Sequence, residues 1–444
     1  MERQLDFVMR RVEERGVKLV RLWFTDVHGQ LKSFAIPPAE LEVAFTEGMF
    51  FDGSSIDGFS RTAETDVLAR PDPNTFQLMS WSSGEEGVGG MFCDIETLDG
   101  TPFPGDSRQV LRRHLDKARE LGFTFFVAPE MEYFVFAEGD PDSPLVPIDT
   151  GGFFDLTTAD VASDIRRVTL EALEEMGIPV EYSFHENSPS QHEIDLRYTD
   201  ALTMADSIVL FRLIVREVAV DHGVYATFMP QPLENVQGSG MHTHMSLFRG
   251  TENAFADSGD PLGLSEEAKH FMAGLLHHAR EITAVTNSTV NSYKRLVSSG
   301  EAPVTLTWAR TNWSALLRVP TVKKGKDEST RIELRSPDPA CNPYLAFAVI
   351  LAAGLKGITE EYELGSEAPR NLFQKTPYEL RREGHSLLPL SLDEALMEME
   401  RSELVAEALG DHLFEWFLRN KQAEWAEYKA QVTPMELRRY LTMM

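Results

Sequence analysis

Cysteine is scarce in this 444-residue sequence, which contains only Cys93 and Cys341. Two thiols cannot build a disulfide framework or a cysteine-rich zinc site, so we expect a protein of the reducing cytoplasm. The opening residues, 1–6, carry no apolar signal core, which agrees with that location. The longest apolar run, Tyr344–Leu355, is too short to span a bilayer. It predicts a buried helix, and we expect no membrane partner.

Positive charge is also in deficit, with 42 lysines and arginines against 70 aspartates and glutamates and a net charge of -28. A chain this acidic is poorly suited to bind nucleic acid or an anionic membrane, because like charges repel. The same excess leaves carboxylates available for divalent cations. The hydrophobic content of 42% is ordinary for a globular chain, and the length suits one large domain or a few smaller ones.

The first hundred residues are typical of a small mixed α/β unit. Val17–Thr25 and Leu31–Ile36 alternate between apolar and polar residues, which predicts a β-hairpin. A Pro-Gly pair at residues 104–105 separates this unit from a helix that Asp106 or Ser107 would cap. The sequence therefore predicts two domains, residues 1–104 and residues 105–444.

A glycine-rich turn leads into an alternating stretch at Gly238–Ser246. Period-two alternation is typical of a strand, so His242 and His244 would point to the same face. Such a pair suits a metal–phosphate site, although a solvated strand would accommodate it equally well. Glu130 and Glu132 share one face of the predicted strand Phe123–Phe136 in the same way. Because adjacent carboxylates repel each other, that strand needs a cation or open solvent.

Charged residues continue in the second half of the chain. Asn287–Val304 is predicted to be a long polar loop, and it carries Arg295 and Glu301. Leu306–Pro320 and Thr330–Ser336 are predicted strands, and the second places Arg331, Glu333 and Arg335 on one face. Alternating charges of this kind on an inner face indicate binding, although a solvated edge strand would also explain them.

Oxygen-rich ligation with an imidazole favours Mg²⁺ or Mn²⁺ over zinc. The candidate ligands are Glu130, Glu132, Glu186, Glu193, Glu333, His242 and His244. Several arginines that follow them would suit phosphate or carboxylate oxygens. The residues alone indicate metal-dependent phosphoryl transfer or a two-metal hydrolase. There is no Gly-x4-Gly-Lys-Ser/Thr loop, so a nucleotide would be held in another way.

Taken together, the motifs resemble those of the bacterial type I glutamine synthetase family over nearly the whole chain. The matching segments are Phe51–Phe59, Pro129–Glu132, His185–Ile194, Gly238–His244, Asn291–Arg295, Gly300–Pro303, Arg331–Arg335 and Asn342–Leu345. The resemblance implies an α+β fold with a β-grasp-like N-terminal domain and a catalytic domain built on a curved antiparallel sheet. It also implies a dodecamer of two hexameric rings with active sites between subunits.

The resemblance further implies roles for individual residues. One Mg²⁺ or Mn²⁺ ion would be held by Glu132, Glu186 and Glu193, and a second by Glu130, His242 and Glu333, with two or three ions per site. The remaining implied contacts are Arg295, Arg335, Gln237 and Gly238 for glutamate, and His244, Ser246, Arg318, Arg331 and Tyr198 for ATP. Asp52, from a neighbouring subunit, would deprotonate the incoming amine, Arg318 would also act in catalysis, and Glu301 would close the site.

The reaction implied by the resemblance is phosphorylation of the glutamate γ-carboxylate by ATP, followed by displacement of phosphate by an amine or ammonia. This chain departs from the family pattern at the amine pocket, where Phe153 replaces a tyrosine, and near the phosphates, where Trp313 replaces an arginine. Gln237 also replaces an asparagine. We therefore expect an organic amine acceptor, such as a polyamine, ethanolamine or an alkylamine. The alternatives are ordinary glutamine synthesis with ammonia, and an inactive structural or regulatory relative.

Overall fold

Two β-sheets organise the chain, a six-stranded N-terminal sheet and a ten-stranded sheet in the larger part. The computed structural model describes residues 2–54, 56–58, 66–79, 87–140, 142–156, 161–298, 302–368, 372 and 375–443. No helix in these ranges is both long and apolar enough to cross a membrane.

The N-terminal part alternates short helices with strands. Its elements are α1 (Glu2–Glu14), β1 (Leu19–Thr25), β2 (Leu31–Ile36), α2 (Leu41–Thr46), β3 (Met49–Asp52), β4 (Asp66–Pro71), β5 (Gln77–Leu78) and β6 (Val88–Glu96). The predicted hairpin is confirmed as β1 and β2, which pair antiparallel. The sheet order is β2-β1-β6-β4-β3, with β5 added beside β6, so β3 is an edge strand. Its core has Val20, Leu22 and Met91 fully buried.

The larger part supplies the second sheet. Its strands are β7 (Thr124–Phe136), β8 (Val180–His185), β9 (Gln191–Leu196), β10 (Thr199–Asp200), β11 (Tyr225–Thr227), β12 (Met241–Arg249), β13 (Glu252–Asn253), β14 (Thr305–Ala309), β15 (Ala315–Arg318) and β16 (Ile332–Leu334). The main order is β14-β15-β16-β12-β7-β9-β8. Neighbours along this order are antiparallel except β14 and β15, which are parallel. The long strands β7 and β12 therefore lie side by side at its centre.

Helices pack beside this sheet. They are α3 (Ser107–Glu120), α4 (Val161–Glu175), α5 (Ala201–Asp221), α6 (Glu266–Thr286), α7 (Ser292–Ser298), α8 (Pro343–Thr359), α9 (Pro377–Arg382), α10 (Leu392–Glu400), α11 (Glu403–Leu409), α12 (Asp411–Ala430) and α13 (Pro434–Tyr440). The predicted buried helix is confirmed as α8, whose Leu345 and Phe347 are fully buried. The Asn342 side chain caps it by accepting from the backbone N–H groups of Tyr344 and Leu345.

A buried arginine joins the N-terminal sheet to the helices of the larger part. Arg108, near the start of α3, is 3% exposed. Its guanidinium contacts Asp206 on α5 at 2.9 Å, Asp94 on β6 at 2.5 Å and Asp72 at 3.0 Å. The Tyr344 hydroxyl donates to the same Asp206 carboxylate over 2.6 Å. Removal of one member of such a cluster would leave an uncompensated buried charge, so the network holds the N-terminal sheet against the helices.

Two sequence-based predictions were wrong in part. The predicted loop Asn287–Val304 contains helix α7, which carries Arg295. Tyr293 and Leu296 are buried and are spaced i, i+3, as on one face of a helix. The polar residues around them concealed this helix in the sequence. The single strand predicted at Leu306–Pro320 is two parallel strands, β14 and β15, separated by a turn.

Candidate active site

Four adjacent strands place acidic and imidazole side chains on one face of the large sheet. Glu130 on β7 lies directly opposite His242 on β12, and Glu132 lies opposite Glu193 on β9. On the other side of β12, His244 lies opposite Glu333 of β16. Cross-strand partners have Cβ atoms only about 5 Å apart, so pairing alone assembles the cluster.

One close group within this cluster is Glu130, His242 and Glu333. Their ligand atoms all lie within 4.8 Å of one another. His242 Nδ1 is 2.8 Å from one oxygen of Glu130 and 3.9 Å from Oε1 of Glu333. His244 Nε2 is 2.6 Å from the other oxygen of Glu130. These three residues are one of the two ligand sets expected from the sequence, and they lie together.

The second expected set is Glu132 on β7, Glu193 on β9 and Glu186 directly after β8. Glu132 is 1% exposed, and one of its oxygens accepts hydrogen bonds from the Gln191 amide at 2.9 Å and from the Gly240 N–H at 3.0 Å. Glu186 is the first residue after β8 and is also buried. A further close group joins Glu130 and Glu193 to Asp195, two residues further along β9.

Crowding of the acids perturbs their titration. Burial, followed by repulsion from Glu132 and Asp195, holds the pKa of Glu193 well above its usual range. Burial also raises the pKa of Glu132 and brings that of Asp195 to about 7. Burial opposes ionisation of Glu130 too, but His244 and His242 outweigh it and hold its pKa well below normal.

This pattern fits divalent cations. Buried carboxylates that repel each other are relieved when a cation lies between them. Carboxylate oxygens with one imidazole are a donor set for Mg²⁺ or Mn²⁺. The residues present therefore suit a metal centre on this face of the sheet.

Arginines border the cluster on the β15–β16 side. Arg318 Nη1 lies 2.6 Å from Oε2 of Glu333, and Arg335 Nε lies 3.0 Å from Oε1 of the same carboxylate. Trp313 covers both guanidinium groups, at 4.6 Å from Arg318 and 5.3 Å from Arg335, measured to the ring centroid. The face of an aromatic ring attracts a cation stacked on it. The tryptophan found in place of the expected arginine therefore packs on the cluster's arginines.

The residues expected to hold glutamate line one small pocket of about 10 Å³. They are Arg295, Arg335, Gln237, Gly238 and Glu132. Arg295 is 3% exposed, and its guanidinium donates to the carbonyls of Ser336 and Arg335 at 2.7 and 3.2 Å. Ala302 also lines the pocket. Glu301, the expected closing residue, lies outside the described residues.

A larger cavity of about 440 Å³ lies beside His244. The residues that line it include four expected to contact ATP, namely Tyr198, His244, Ser246 and Arg331. Arg331 Nε donates to His244 Nδ1 at 3.3 Å, which orients the imidazole between this cavity and Glu130. Arg318, the fifth expected ATP contact, lies instead against Glu333.

Phe153 belongs to an aromatic group whose member Phe184 lies opposite Glu193 across strands β8 and β9. Its ring centroid is 4.1 Å from that of Phe154 and 5.7 Å from that of Phe184, which precedes His185 on β8. Phe153 is 54% exposed and Phe154 is 64% exposed. We call these three rings the phenylalanine cluster.

Asp52 lies apart from the acidic cluster, at the end of edge strand β3 in the N-terminal sheet. Its carboxylate accepts hydrogen bonds of 2.8 Å from the Ser54 N–H and hydroxyl groups. The two sheets of one chain therefore carry different parts of the expected site.

Sequence reasoning assigned no role to Gln191 or Asp195. Gln191 is fully buried and donates to Glu132 and, at 3.0 Å, to the carbonyl of Gly238, so it links a metal-ligand candidate to the glutamate pocket. Asp195 lines the larger cavity and belongs to a close acidic group. The available signal was the i, i+2 spacing of both residues from Glu193, which puts all three on one strand face.

Comparisons with known proteins agree with this architecture. The family described as "Glutamine synthetase, catalytic domain" matches residues 104–440, and "Glutamine synthetase, beta-Grasp domain" matches residues 16–97. A glutamine synthetase of Mycolicibacterium smegmatis is 56% identical over 446 residues, covering 100% of both chains. One from Thermotoga maritima is 45% identical, covering 98% of this chain and 99% of that one.

A solved structure titled "GmaS/ADP complex-Conformation 1" superposes with a TM-score of 0.87 at 32% identity, covering 98% of this chain and 99% of that one. The structure titled "Apo GmaS without ligand" gives 0.86 at the same identity. The resemblance and the α+β fold expected from the sequence are both confirmed. The chain belongs to the glutamine synthetase family, as an ATP-dependent ligase with a β-grasp N-terminal domain and a catalytic domain.

Proposed function

We propose that the chain ligates the γ-carboxylate of glutamate to an organic amine, through a γ-glutamyl phosphate formed at the expense of ATP. The observation that carries the choice of amine is the phenylalanine cluster. It exposes two apolar rings that pack on Phe184, the cross-strand partner of Glu193. At the position of Phe153 the family resemblance expects a tyrosine hydroxyl in an ammonium pocket. An apolar surface favours the methylene groups of an alkylamine over a small hydrated ammonium ion.

In this proposal the acidic cluster holds two or three Mg²⁺ or Mn²⁺ ions. One would be held by Glu132, Glu186 and Glu193, and another by Glu130, His242 and Glu333. Bound there, such ions neutralise charge on the transferring phosphoryl group. Gln191 and the Gly240 N–H fix the Glu132 carboxylate, so this ligand is already oriented.

The arginines would then place the two substrates. Arg295 and Arg335 line the glutamate pocket and supply two positive charges for the α-carboxylate. Tyr198, Ser246 and Arg331 line the cavity in which we place ATP, and His244 separates it from the acids. Arg318 would stabilise the phosphoryl oxygens in transit, with Trp313 holding its guanidinium in place.

Two remaining steps need groups from outside this cluster. Asp52, supplied by a neighbouring subunit, would accept a proton from the amine before attack on the acyl phosphate. Glu301 would close the glutamate pocket, because Ala302 next to it already lines that pocket. Closure would shield the acyl phosphate from water.

Ammonia is the second candidate acceptor, and a specific observation favours it. Relatives with 56% identity over their full length carry the name glutamine synthetase. At that identity, Phe153 and Trp313 would be tolerated variations in an enzyme that makes glutamine.

The deciding experiment measures phosphate release from ATP with glutamate and Mg²⁺. Ammonia, methylamine, ethylamine, ethanolamine, putrescine and spermidine are compared, with mass detection of the products. We expect an organic amine to give the highest kcat/KM. Phe153→Tyr should raise kcat/KM for ammonia about tenfold, the effect of one added hydrogen bond to a charged ligand.

The matched control is Phe154→Tyr, which adds the same hydroxyl to the neighbouring exposed ring. It should leave the preference unchanged. A highest kcat/KM for ammonia in the unaltered chain would establish glutamine synthesis instead. Failure to release phosphate with every amine would indicate an inactive relative, and turnover without ATP would indicate a hydrolase.

A further inference from the structure

A cavity of about 690 Å³ lies apart from the acidic cluster. Its walls are the β1–β2 turn at His28–Leu31, helices α5 and α12, and the segment 288–291. The described residues that line it include none that line the glutamate pocket or the ATP cavity. The cavity therefore does not belong to the site described above.

Two arginines on α5 open into this cavity. Arg212 and Arg216 are four residues apart, so they lie one helical turn from each other on the same face. Arg212 is 7% exposed, and its Nη2 donates to the Cys341 carbonyl over 2.7 Å. Its Nε is buried and has no hydrogen-bond partner within the described ranges. One backbone carbonyl does not neutralise a guanidinium, so Arg212 keeps a positive charge at the cavity wall.

Arg216 is an exposed side chain on the same face of α5. Its guanidinium lies 5.4 Å from the centroid of the Phe228 ring, and no ion pair joins it to an acid in the described part of the chain. Burial lowers the pKa of both arginines, and the charge of Arg216 lowers that of Arg212 further. Like charges one turn apart on a helix repel each other, and an anion between them would reverse this.

The other charged groups at the cavity are already matched. Lys421 Nζ is 2.8 Å from Oε2 of Glu424, whose other oxygen accepts from the Val290 N–H at 3.0 Å. Burial and the nearby Lys421 lower the pKa of His28, which keeps its ring neutral near pH 7. Asp338 acts on Arg212 at longer range, but no ion pair joins either arginine to an acid among the described residues. The pair therefore leaves net positive charge facing a cavity large enough for a metabolite.

We propose that this cavity binds a small dianion, bearing carboxylate or phosphate groups, between Arg212 and Arg216. The guanidinium fork matches the paired oxygens of either group. An occupant would also touch the segment 288–291, which leads into α7 and Arg295. Within that segment, Asn291 is hydrogen-bonded to the backbone N–H and carbonyl of Gln231 at 2.7 and 3.0 Å. The site is therefore connected through the chain to the glutamate pocket.

Calorimetric titration of the full chain with inorganic phosphate, and separately with succinate, tests the proposal. The two anions distinguish phosphate from dicarboxylate recognition. Arg216→Met should weaken binding at least tenfold, as expected for loss of a charge-assisted hydrogen bond. We choose Arg216 because Arg212 supports the Cys341 carbonyl, so its replacement can destabilise the fold. Arg419→Met, at an exposed position on neighbouring α12, is the matched control and should bind as the unaltered chain does.

Arg335→Met separates this cavity from the glutamate pocket, and binding should survive that change. Loss of binding in Arg335→Met with retention in Arg216→Met would assign the anion to the catalytic site and overturn the proposal. Absence of binding of both anions at millimolar concentration would overturn it as well. A crystal structure of the assembled protein with a neighbouring chain's carboxylate between the two arginines would do the same.

Discussion

At the scale of single residues, the acidic cluster contains carboxylates whose burial opposes ionisation. Glu130 is the residue most shared within it, because both His242 and His244 lie within hydrogen-bond distance of its two oxygens. Glu193 sits beside two other acids, and burial and repulsion favour its protonated form. A cation between these groups would stabilise the ionised forms of all of them.

Replacement of Glu130 by Gln removes one carboxylate from the group of Glu130, His242 and Glu333 but preserves the side-chain volume. We expect Mg²⁺ affinity to fall at least about tenfold, since loss of a ligand exceeds the effect of losing a supporting hydrogen bond. Mg²⁺ at 100 times its Kd should stabilise the unaltered chain by about 2.7 kcal/mol, reversibly with EDTA. Thermal unfolding across a Mg²⁺ titration measures both effects.

The control for this change is Glu252→Gln, which neutralises an exposed acid on β13, a strand that pairs with β12. It should leave the metal titration unaltered. Equal Mg²⁺ affinities for Glu130→Gln and the unaltered chain would remove Glu130 from the set of metal ligands.

At the scale of elements, helix α3 is held on both sides by buried polar contacts. Arg108 ties it to α5 and to the N-terminal sheet. Six residues further on, His114 is 3% exposed, and its Nε2 lies 3.0 Å from the carbonyl of Ala408 on α11. A neutral imidazole that donates this bond satisfies the carbonyl of a helix packed against α3.

Burial of His114 makes stability depend on pH. It lowers the pKa of the ring from 6.5 to about 4 in the folded chain, so below pH 6.5 the unfolded chain binds a proton that the folded chain does not. The contribution is fully present above pH 6.5 and is lost as pH falls toward 4, by up to about 3 kcal/mol. Urea unfolding measures the free energy of unfolding at each pH. Between pH 7 and pH 4 it should fall less for His114→Gln than for the unaltered chain, by up to this amount.

Glutamine keeps an amide donor for the Ala408 carbonyl, so the variant removes the titration and retains the hydrogen bond. His385→Gln, at a half-buried ring elsewhere, controls for the loss of an imidazole. Parallel pH profiles for His114→Gln and the unaltered chain would contradict the prediction.

At the scale of the whole molecule, the expected active site is divided between the two sheets. Asp52 lies at the exposed edge of the N-terminal sheet, while the acids and arginines lie on the large sheet. We expect each site to combine the large sheet of one subunit with Asp52 of a neighbour in a dodecamer of two hexameric rings. A shared site of this kind requires a ring of repeated, head-to-tail interfaces.

Coexpression of Asp52→Asn and Arg335→Met chains tests this arrangement. Each variant alone should be inactive, but random mixing should restore about a quarter of the sites, because one in four interfaces pairs an intact Asp52 with an intact Arg335. Sedimentation of the mixture checks that the particle is the expected assembly. Absence of recovered activity in fully mixed particles would place Asp52 and Arg335 of the same chain in one site.

Local sequence patterns predicted the α+β fold and most of the acidic cluster, but not Asp195. Alternation on β7, β12 and β16 shows which residues share a face, since side-chain period along a strand is a local property. Motif order was sufficient for the family, and the roles of the acids, histidines and arginines remain predictions. Local patterns also predicted helix α8 and a cap of α3 at Asp106 or Ser107, of which the structure has Asp106.

How the faces of β7, β9, β12 and β16 meet depends on the tertiary structure. Strand order and register bring Glu130 opposite His242, and they are set by long-range pairing that no local pattern contains. Helix α7 was missed because its few apolar residues become a helical face only when packed. The arginine-lined cavity likewise exists because the β1–β2 turn, α5 and α12, far apart in the chain, enclose it. The proposed affinity of this cavity for an anion depends on two arginines one turn apart on α5, of which these distant segments bury Arg212.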